Sequence, residues 1–463
     1  MSIKSLEQKL QAHNNDNRLL EQYYEGCVYV DKLNISVPPI LQHINTSIGW
    51  PGTCVNVLEE RLDFLGWDDN GKYDLETTFI DNSMDNESSL ANVDTLLYGT
   101  GFISVSTGFK NEPPAIITAE SPLHTTGVWD KRTRRLTEGY TRYRDEDGNL
   151  TKAVFYEADQ TTYLRRASES APWKVESVDR HKLGRVPLVR LPNRARAGRP
   201  GGKSEITPAI RSYTNTAVRT LLGMEVNREF FQAPQRYVLG AKEDSFVDGS
   251  GNPIPGWKAI MGSLWNLERD EAWAAEHPED SNGGMPKVGQ FPSNPAGPYL
   301  EQLAGLAQLV CAESGMPSMY LGFTTTNPPS ADAIRALEAR LVKRAERRQS
   351  AWSPGYAEVG QIAALITKGT LPKRSEIEVS WRDASTPTKA ADADRATKLV
   401  ASSIIPAHSR VTYEMAGLTP RQITQIELDI AEQEAKAAVE PDPPPVPGIG
   451  TPITAAAPVV AQP

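Results

Sequence analysis

Helical and extended patterns occupy different stretches of this chain, and the changeovers mark its organisation. Ser5–Tyr24 reads as a helix that stops near Gly26. Thr53–Leu62 reads as a second, before the turn Trp67-Asp68-Asp69-Asn70-Gly71, and Leu90–Leu97 as a short third closed by Tyr98-Gly99. The period then shortens to that of strands. Phe102–Gly108, Ala115–Ala119, His124–Asp130, Leu136–Arg144 and Leu150–Glu157 predict strands, the last two joined by the turn-forming run Asp145-Glu146-Asp147-Gly148-Asn149. TTYLRRA, WKVESVDR and Pro187–Asn193 continue the series, so residues 1–205 read as one α+β domain.

Thr207-Pro208 supplies an N-cap and a proline at the first helical position, which predicts a helix to about Gln232, stopped by Ala233-Pro234. Its apolar stripe, Ile210, Ala217, Met224 and Phe231, is narrow and suits packing against neighbouring helices. Residues 234–296 read as a small β-rich module: RYVLG, a turn at Gly249–Pro253, KAIMGSLWNL and MPKVGQF, with Trp257 and Trp265 as core. Pro298 opens a helix over Tyr299–Ser314, and an uncharged loop follows. Ser330 caps a long helix to about Lys368, with Asp332 placed for the helix dipole, Ile334, Leu337, Leu341 and Ala345 on one face, and a kink expected at Pro354-Gly355. Unbroken, that helix spans roughly 55 Å. A short strand, EIEVSWRDA, precedes a helical tail domain from Thr388 to about Ala438. The last 23 residues, with eight prolines, predict disorder.

Composition narrows the function classes. The 463 residues are 39% apolar and 23% charged, an ordinary soluble balance. The polar first twenty residues predict no secretory signal, and the uncharged run Ser314–Ala331 is too broken by Pro317, Gly322, Pro328 and Pro329 to cross a membrane. Three cysteines, Cys27, Cys54 and Cys311, are odd in number and far apart, which predicts a reducing compartment. The net charge of −9 argues against a protein that grips DNA by neutralising phosphates. It leaves open a protein that DNA must slide past.

The order of parts resembles the portal proteins of tailed double-stranded DNA phages, in the branch found among phages of actinobacteria and other Gram-positive hosts. The resemblance rests on YYEG (Tyr23–Gly26), VNVLEERLDFLGW (Val55–Trp67), KSEITPAI followed by MEVNREFFQAPQRYVLG (Met224–Gly240), and NPPSADAIRALEARLVKRAERRQ (Asn327–Gln349). It implies an α+β portal fold: a wing over 1–205, stem helices at 206–233 and 297–315, and a clip at 234–296. A tunnel loop at 316–330, a long helix returning to the wing at 331–385, a crown at 386–438 and a disordered tail at 439–463 complete it. It also implies a closed homo-dodecameric ring at one capsid vertex, assembled in the bacterial cytoplasm, through which DNA is packaged and ejected without sequence reading. The implied partners are the large terminase, a head–tail adaptor and the major capsid or scaffold protein. By position, Met316, Met319, Phe323, Thr324, Thr325, Thr326 and Asn327 would face DNA, and Glu268, Asp270, Glu271 and Trp273 would form the clip's partner surface.

The residues of that loop suit the role, since no charge lies between Glu313 and Asp332 to trap a phosphate, although an ordinary surface loop has the same composition. Between Lys182 and Lys203 there are seven basic residues and no acidic one. Of these, Arg194, Arg196, Arg199 and Lys203 are candidates for contact with DNA or a neighbouring subunit, or else a solvated flexible loop. Arg335, Arg340, Lys343, Arg344, Arg347 and Arg348 on the long helix read as a solvated face with intersubunit ion pairs.

Competing chemistry is weaker. Ala197–Ser204 approaches the G-x-x-x-x-G-K-[ST] phosphate loop, with Lys203 and Ser204 in the functional places. That is the alternative, a P-loop NTPase; a further one is another virion structural or connector protein. But the helix start at Thr207-Pro208 comes too late to meet a phosphate, and Pro200 lacks an N–H. Asp145–Gly148 lacks the later bidentate Glu of a calcium loop, Tyr156 standing there. Histidines and cysteines show no zinc spacing. No catalytic, cofactor-binding or metal-binding residue is expected.

Overall fold

Residues 3–28, 45–231, 236–239, 252, 271–279, 285–290, 295–322, 330–385, 389–418 and 420–439 are described in the computed structural model of this chain. They fall into two units, Met1–Ser385 and Thr386–Pro463.

The first unit begins with α1 (Ile3–Tyr24), α2 (Trp50–Glu59), β1 (Phe64–Asp68), α3 (Leu75–Asp81) and α4 (Met84–Tyr98). Gly99, at φ +85°, ends α4 in the left-handed conformation that a side chain would strain. Eight strands follow: β2 (Thr100–Thr107), β3 (Ala115–Glu120), β4 (Thr125–Asp130), β5 (Arg135–Tyr143), β6 (Lys152–Tyr156), β7 (Thr161–Arg165), β8 (Lys174–Asp179) and β9 (Leu188–Pro192). They make two antiparallel sheets, β3-β2-β9 and the meander β4-β5-β6-β7-β8. The β5–β6 turn closes as its residues dictate, with the Asn149 and Gly148 amides donating to the Asp145 carboxylate and carbonyl. Helix α1 docks on the meander through Leu6, packed with Tyr140 and Leu164. Beside it, Glu7 accepts from Tyr140 OH and Trp173 Nε1 at 3.1 and 2.8 Å.

The chain then leaves along α5 (Pro208–Phe231), forms β10 (Arg236–Leu239), α6 (Glu271–Glu276) and β11 (Lys287–Gln290), and returns along α7 (Gly297–Ser314). Strands β10 and β11 pair antiparallel from Arg236↔Gln290 to Leu239↔Lys287. A 3-10 turn (Ser318–Leu321) leads towards α8 (Ala331–Lys368), whose first turn is capped by Ser330 Oγ accepting from the Ala333 amide at 3.3 Å. The unit closes with β12 (Glu378–Trp381), which pairs back onto β1 across more than 300 residues of chain.

Helix α8 runs through Pro354 without a break and carries the core's largest side chains. Trp352 and Tyr356 are fully buried. Trp352 Nε1 donates to the Pro192 carbonyl at 3.1 Å, and Tyr356 OH to Asn92 Oδ1 at 2.8 Å. Phe64, Trp67 and Trp381 surround Tyr356, with Trp67 Nε1 donating to the Tyr356 carbonyl at 2.8 Å. Gly355 lets β9 come this close, because a Cβ there would meet Leu191 Cδ2 at 2.5 Å. The second unit, taken by itself, is three helices, α9 (Lys389–Ala401), α10 (Arg410–Met415) and α11 (Pro420–Val439), with Ala396, Thr412 and Ile423 buried.

Several expectations change. The helix expected at Thr53–Leu62 starts earlier, with Pro51 in its first turn, and ends at Glu59. Helix α4 begins at Met84, well before Leu90, and β1 and α3 were not anticipated. Leu337 is 54% exposed, because the inward position in that part of α8 belongs to Glu338. The 234–296 module contains the short helix α6 between its two strands. KAIMGSLWNL, Trp257, Trp265, most of the Gly249–Pro253 turn and the proline-rich tail, for which strand, core, turn and disorder were expected, lie outside the described residues. Among the described residues, no helix is long and apolar enough to cross a membrane.

Trp352→Ala removes the largest side chain of this core and leaves the Pro192 carbonyl without its donor. We expect a loss of about 3–5 kcal/mol, measured as a lower denaturation midpoint of the purified chain; an unchanged midpoint would mean that the site collapses around the smaller residue.

Candidate functional site

The end of β9, the start of α5, the end of α7 and the middle of α8 meet around one carboxylate. Asn193, fully buried, follows β9 and donates through Nδ2 to the Lys203 carbonyl at 2.8 Å and to Glu205 Oε1 at 3.0 Å, while accepting from Arg348 Nε at 3.2 Å. Between Asn193 and Lys203 the chain makes an excursion closed by the reciprocal backbone pair Arg196↔Arg199. Gly202, at φ +83°, brings it back against Gly99, where a Cβ would meet the Gly99 carbonyl oxygen at 2.1 Å. Ser204 Oγ accepts from the Ile206 amide at 2.9 Å, and Thr207 Oγ1 accepts from the Ile210 amide at 3.4 Å as α5 begins.

Glu205 turns inward, its side chain 2% exposed, and is bound by Arg344 and Arg348 from α8 and by Arg194 at 3.5 Å. Burial by itself pushes this carboxyl up, but the three guanidiniums and the Asn193 amide outweigh it and hold it below its ordinary 4.5. Arg344 also donates to the Glu313 carbonyl at 3.2 Å, at the negative end of α7's dipole. Burial lowers the Arg344 pKa, with Glu205 opposing that shift.

From this node α5 and α7 run side by side. Ile210, Ala217, Val218, Leu222 and Val226 of α5 are buried, as are Leu303, Ala307 and Val310 of α7. A Cβ at Gly223, late in α5, would meet Tyr299 Cε1, early in α7, at 3.4 Å, which fixes the pair as antiparallel. Gly315, at φ +76°, ends α7. A second clamp follows: Tyr320 OH donates to Glu338 Oε1 at 2.6 Å, and Arg61 Nη2 donates to both, at 3.0 Å to the phenol and 3.1 Å to the carboxylate. Arg61 and Glu338 side chains are 7% and 11% exposed. The chain is therefore tied to α8 at Glu313 and at Tyr320.

Of the residues placed on the DNA-facing loop by position, Met316 is buried in the core and Met319 is half-buried. Phe323, Thr324, Thr325, Thr326 and Asn327 lie outside the described residues. Of the four basic candidates, Arg194 turns back to Glu205 and Lys203 is half-buried, whereas Arg196 and Arg199 are exposed on the excursion. Glu271 and Trp273 share the exposed helix α6, where Trp273 stacks on His277 with ring centroids 3.8 Å apart; Glu268 and Asp270 lie outside the described residues.

The six basic residues of α8 do not share one solvated face. Arg344 and Arg348, four apart, sit on the inward stripe with Leu341, Ala345 and Trp352, and are drawn there by Glu205. Sequence reasoning did not find the Glu205 node, because its members are up to 155 residues apart. The only local signal was Glu205 itself, one acid directly after a long basic run.

The phosphate-loop alternative does not fit this geometry. The amides of Arg199, Lys203 and Glu205 donate to the carbonyls of Arg196, Asn193 and Leu96, and Ser204 is 8% exposed with its hydroxyl engaged. The donors that would cradle a phosphate are committed to the fold. Among the described residues, no group of three or more His, Cys, Asp or Glu could hold a metal ion.

Comparison with known proteins gives a consistent picture. The family described as phage portal protein, SPP1 Gp6-like, matches residues 60–433. The portal protein of Mycobacterium phage L5 is 30% identical over 427 residues, covering 89% of this chain and 82% of the relative. That of Mycobacterium phage D29 is 32% identical over 402 residues, covering 83% and 79%. Among solved structures, a chain from the neck of an empty GTA particle aligns with a TM-score of 0.44 at 12% identity, covering 88% of this chain and 94% of that one.

Glu205→Gln leaves two buried guanidiniums facing a neutral amide, and we expect it to cost about 3–5 kcal/mol, read from chemical denaturation. The sign of the acid response follows from the depressed carboxyl. Its contribution is complete above the ordinary 4.5 and fades as pH falls through the lower folded-state value. Wild-type stability should therefore fall more steeply below about pH 4.5 than that of Glu205→Gln; parallel pH profiles would remove Glu205 as the cause.

Proposed function

This chain belongs to the SPP1 Gp6-like family of phage portal proteins, and from that membership we propose that it closes into a homo-dodecameric ring at one vertex of a capsid, forming the channel through which double-stranded DNA is packaged and ejected. The observation that carries the reading is the family match across residues 60–433, which takes in both long paired helices and all of α8.

On this reading residues 1–205 are the wing, and 206–233 and 297–315 are the stem helices, which run out to the 234–296 module and back. That module is the clip, presenting Glu268, Asp270, Glu271 and Trp273 to the large terminase and later to a head–tail adaptor. Residues 316–330 are the tunnel loop, 331–385 the long helix and its return to the wing, and 386–438 the crown. Met316 packs in the core at the loop's start, so contact with DNA falls to Met319 and to Phe323, Thr324, Thr325, Thr326 and Asn327. Arg196 and Arg199 are exposed for a neighbouring subunit or passing DNA, and Arg194 and Lys203 hold the base of their excursion. The net charge of −9 supports a wall that DNA slides along, because few cations are left to hold phosphates. The ATP-hydrolysing motor is a separate protein, the particle is assembled in the host cytoplasm, and the capsid or scaffold protein surrounds the ring.

The test is electron microscopy of the purified chain and of the chain co-expressed with its capsid and scaffold proteins. Closed rings with a central channel wide enough for a duplex are expected, with twelve subunits in the capsid-associated form. A chain that stays monomeric in both preparations, or forms particles without a channel, would overturn the reading.

A further inference from the structure

The first unit contains a cleft of about 460 Å³ between its two sheets, reached by β2 and β3 on one side and β5–β8 on the other. No role proposed above uses it. Its volume is in the range of small-molecule sites, about 300–1,000 Å³. Glu120 of β3 lines it and is itself only 6% exposed. Ser104 Oγ and Tyr143 OH both donate to one oxygen of this carboxylate, Oε1, at 2.9 and 2.6 Å. The other oxygen, Oε2, has no hydrogen bond among the described residues. A mostly buried carboxylate with one oxygen left unpaired is costly unless a donor reaches it. With Oε1 occupied by Ser104 and Tyr143, Oε2 is the oxygen left for water or a ligand in the cleft.

We propose that this cleft binds an alkylammonium group, with Glu120 Oε2 receiving the cation. The surroundings select charge and shape. Among the described residues no cationic group pairs with Glu120, and the neighbouring Glu87 adds negative charge; burial first, and then Glu87, push its carboxyl up. A cation beside Oε2 relieves both effects, while the lining cations, Lys152 and Arg144, stand towards the exposed ends of β6 and β5. Tyr143, Tyr156 and Tyr163 line the cleft and supply aromatic surroundings of the kind that suit an ammonium and its alkyl stem. At the rim, Arg144 is bound to the Gly148 carbonyl at 2.6 Å and Glu176 pairs with Arg165 at 3.4 Å. Exposed Asp179 stands ready for a second ammonium. The same chemistry is offered by a free polyamine and by the lysine side chain of another protein.

Isothermal titration of the full chain with spermidine, and separately with Nα-acetyl-lysine methylamide, tests this and separates the two sources. One site per chain is expected for at least one of the probes, about ten- to a hundred-fold weaker in Glu120→Gln, since a charge-assisted hydrogen bond is lost. A polyamine site also predicts several-fold weaker spermidine binding in Asp179→Asn, whose exposed position leaves the fold intact, with no change for the single-headed lysine probe. No saturable binding of either probe overturns the proposal. So does equal binding by wild type and Glu120→Gln at several sites per chain, which would be general attraction to an acidic surface. Should Glu120→Gln not fold, unchanged spermidine affinity in Asp179→Asn overturns the polyamine arm, and failure of Nα-acetyl-lysine methylamide to compete with spermidine overturns the shared site. None of these outcomes depends on whether the chain forms a ring.

Discussion

A carboxylate kept ionised almost wholly out of water needs cations, and Glu205 has three. Removing such a group from solvent costs several kcal/mol, and attraction offsets that only when geometry is good and the remaining polar atoms are satisfied. Here Asn193 completes the set, using both amide hydrogens and its carbonyl. The arrangement permits little slack, and its members come from every segment that has to be positioned. Asn193 follows β9, Glu205 precedes α5, Arg344 and Arg348 lie on α8, and Arg344 also reaches the Glu313 carbonyl of α7. Where α5 departs and where α7 returns are thus set by one electrostatic node.

The second clamp, Arg61–Tyr320–Glu338, extends the same logic by one step along the chain. Glu338 and Arg344 are six residues apart on α8, so both clamps are built on a single helix. That helix is the most deeply packed element of the first unit, with Trp352, Tyr356, Val359 and Ile362 all at 0% exposure. A loop meant to touch moving DNA, as proposed for this family member, needs rigid ends more than it needs a particular structure of its own. Charge-assisted hydrogen bonds to a buried helix provide them.

Local chemistry made the strand series legible. Alternation, turn residues and the Asp145–Asn149 hairpin signal placed β2 to β9 to within a few residues, and Thr207-Pro208 and Ser330 marked helix starts that the structure keeps. What was not legible depends on contacts remote in sequence. Strand β1 exists because Phe64–Asp68 pairs with Glu378–Trp381, and no window around Trp67 carries that information. Leu337 was assigned inward because it is apolar, yet the inward position went to Glu338, whose partners come from α2's exit and the 3-10 turn. A polar residue on a core stripe is invisible to periodicity until its partners are known.

The same limit explains why the basic run before α5 was ambiguous. Read as composition, Lys182–Lys203 is a surface that phosphates should find attractive. In the fold, three of those seven charges are structural. Arg185 bonds Gln361 at 3.1 Å, Arg190 stacks over Trp129 at 4.0 Å and reaches the Pro200 carbonyl, and Arg194 serves Glu205. Lys182, Arg196 and Arg199 are exposed. Since non-specific affinity scales with the number of phosphates neutralised, the contact with DNA proposed for Arg196 and Arg199 would be weak and easily released on a chain of net charge −9. A strong one would hold DNA still. The acidic balance that counted against gripping DNA is the sign that suits the proposed channel wall.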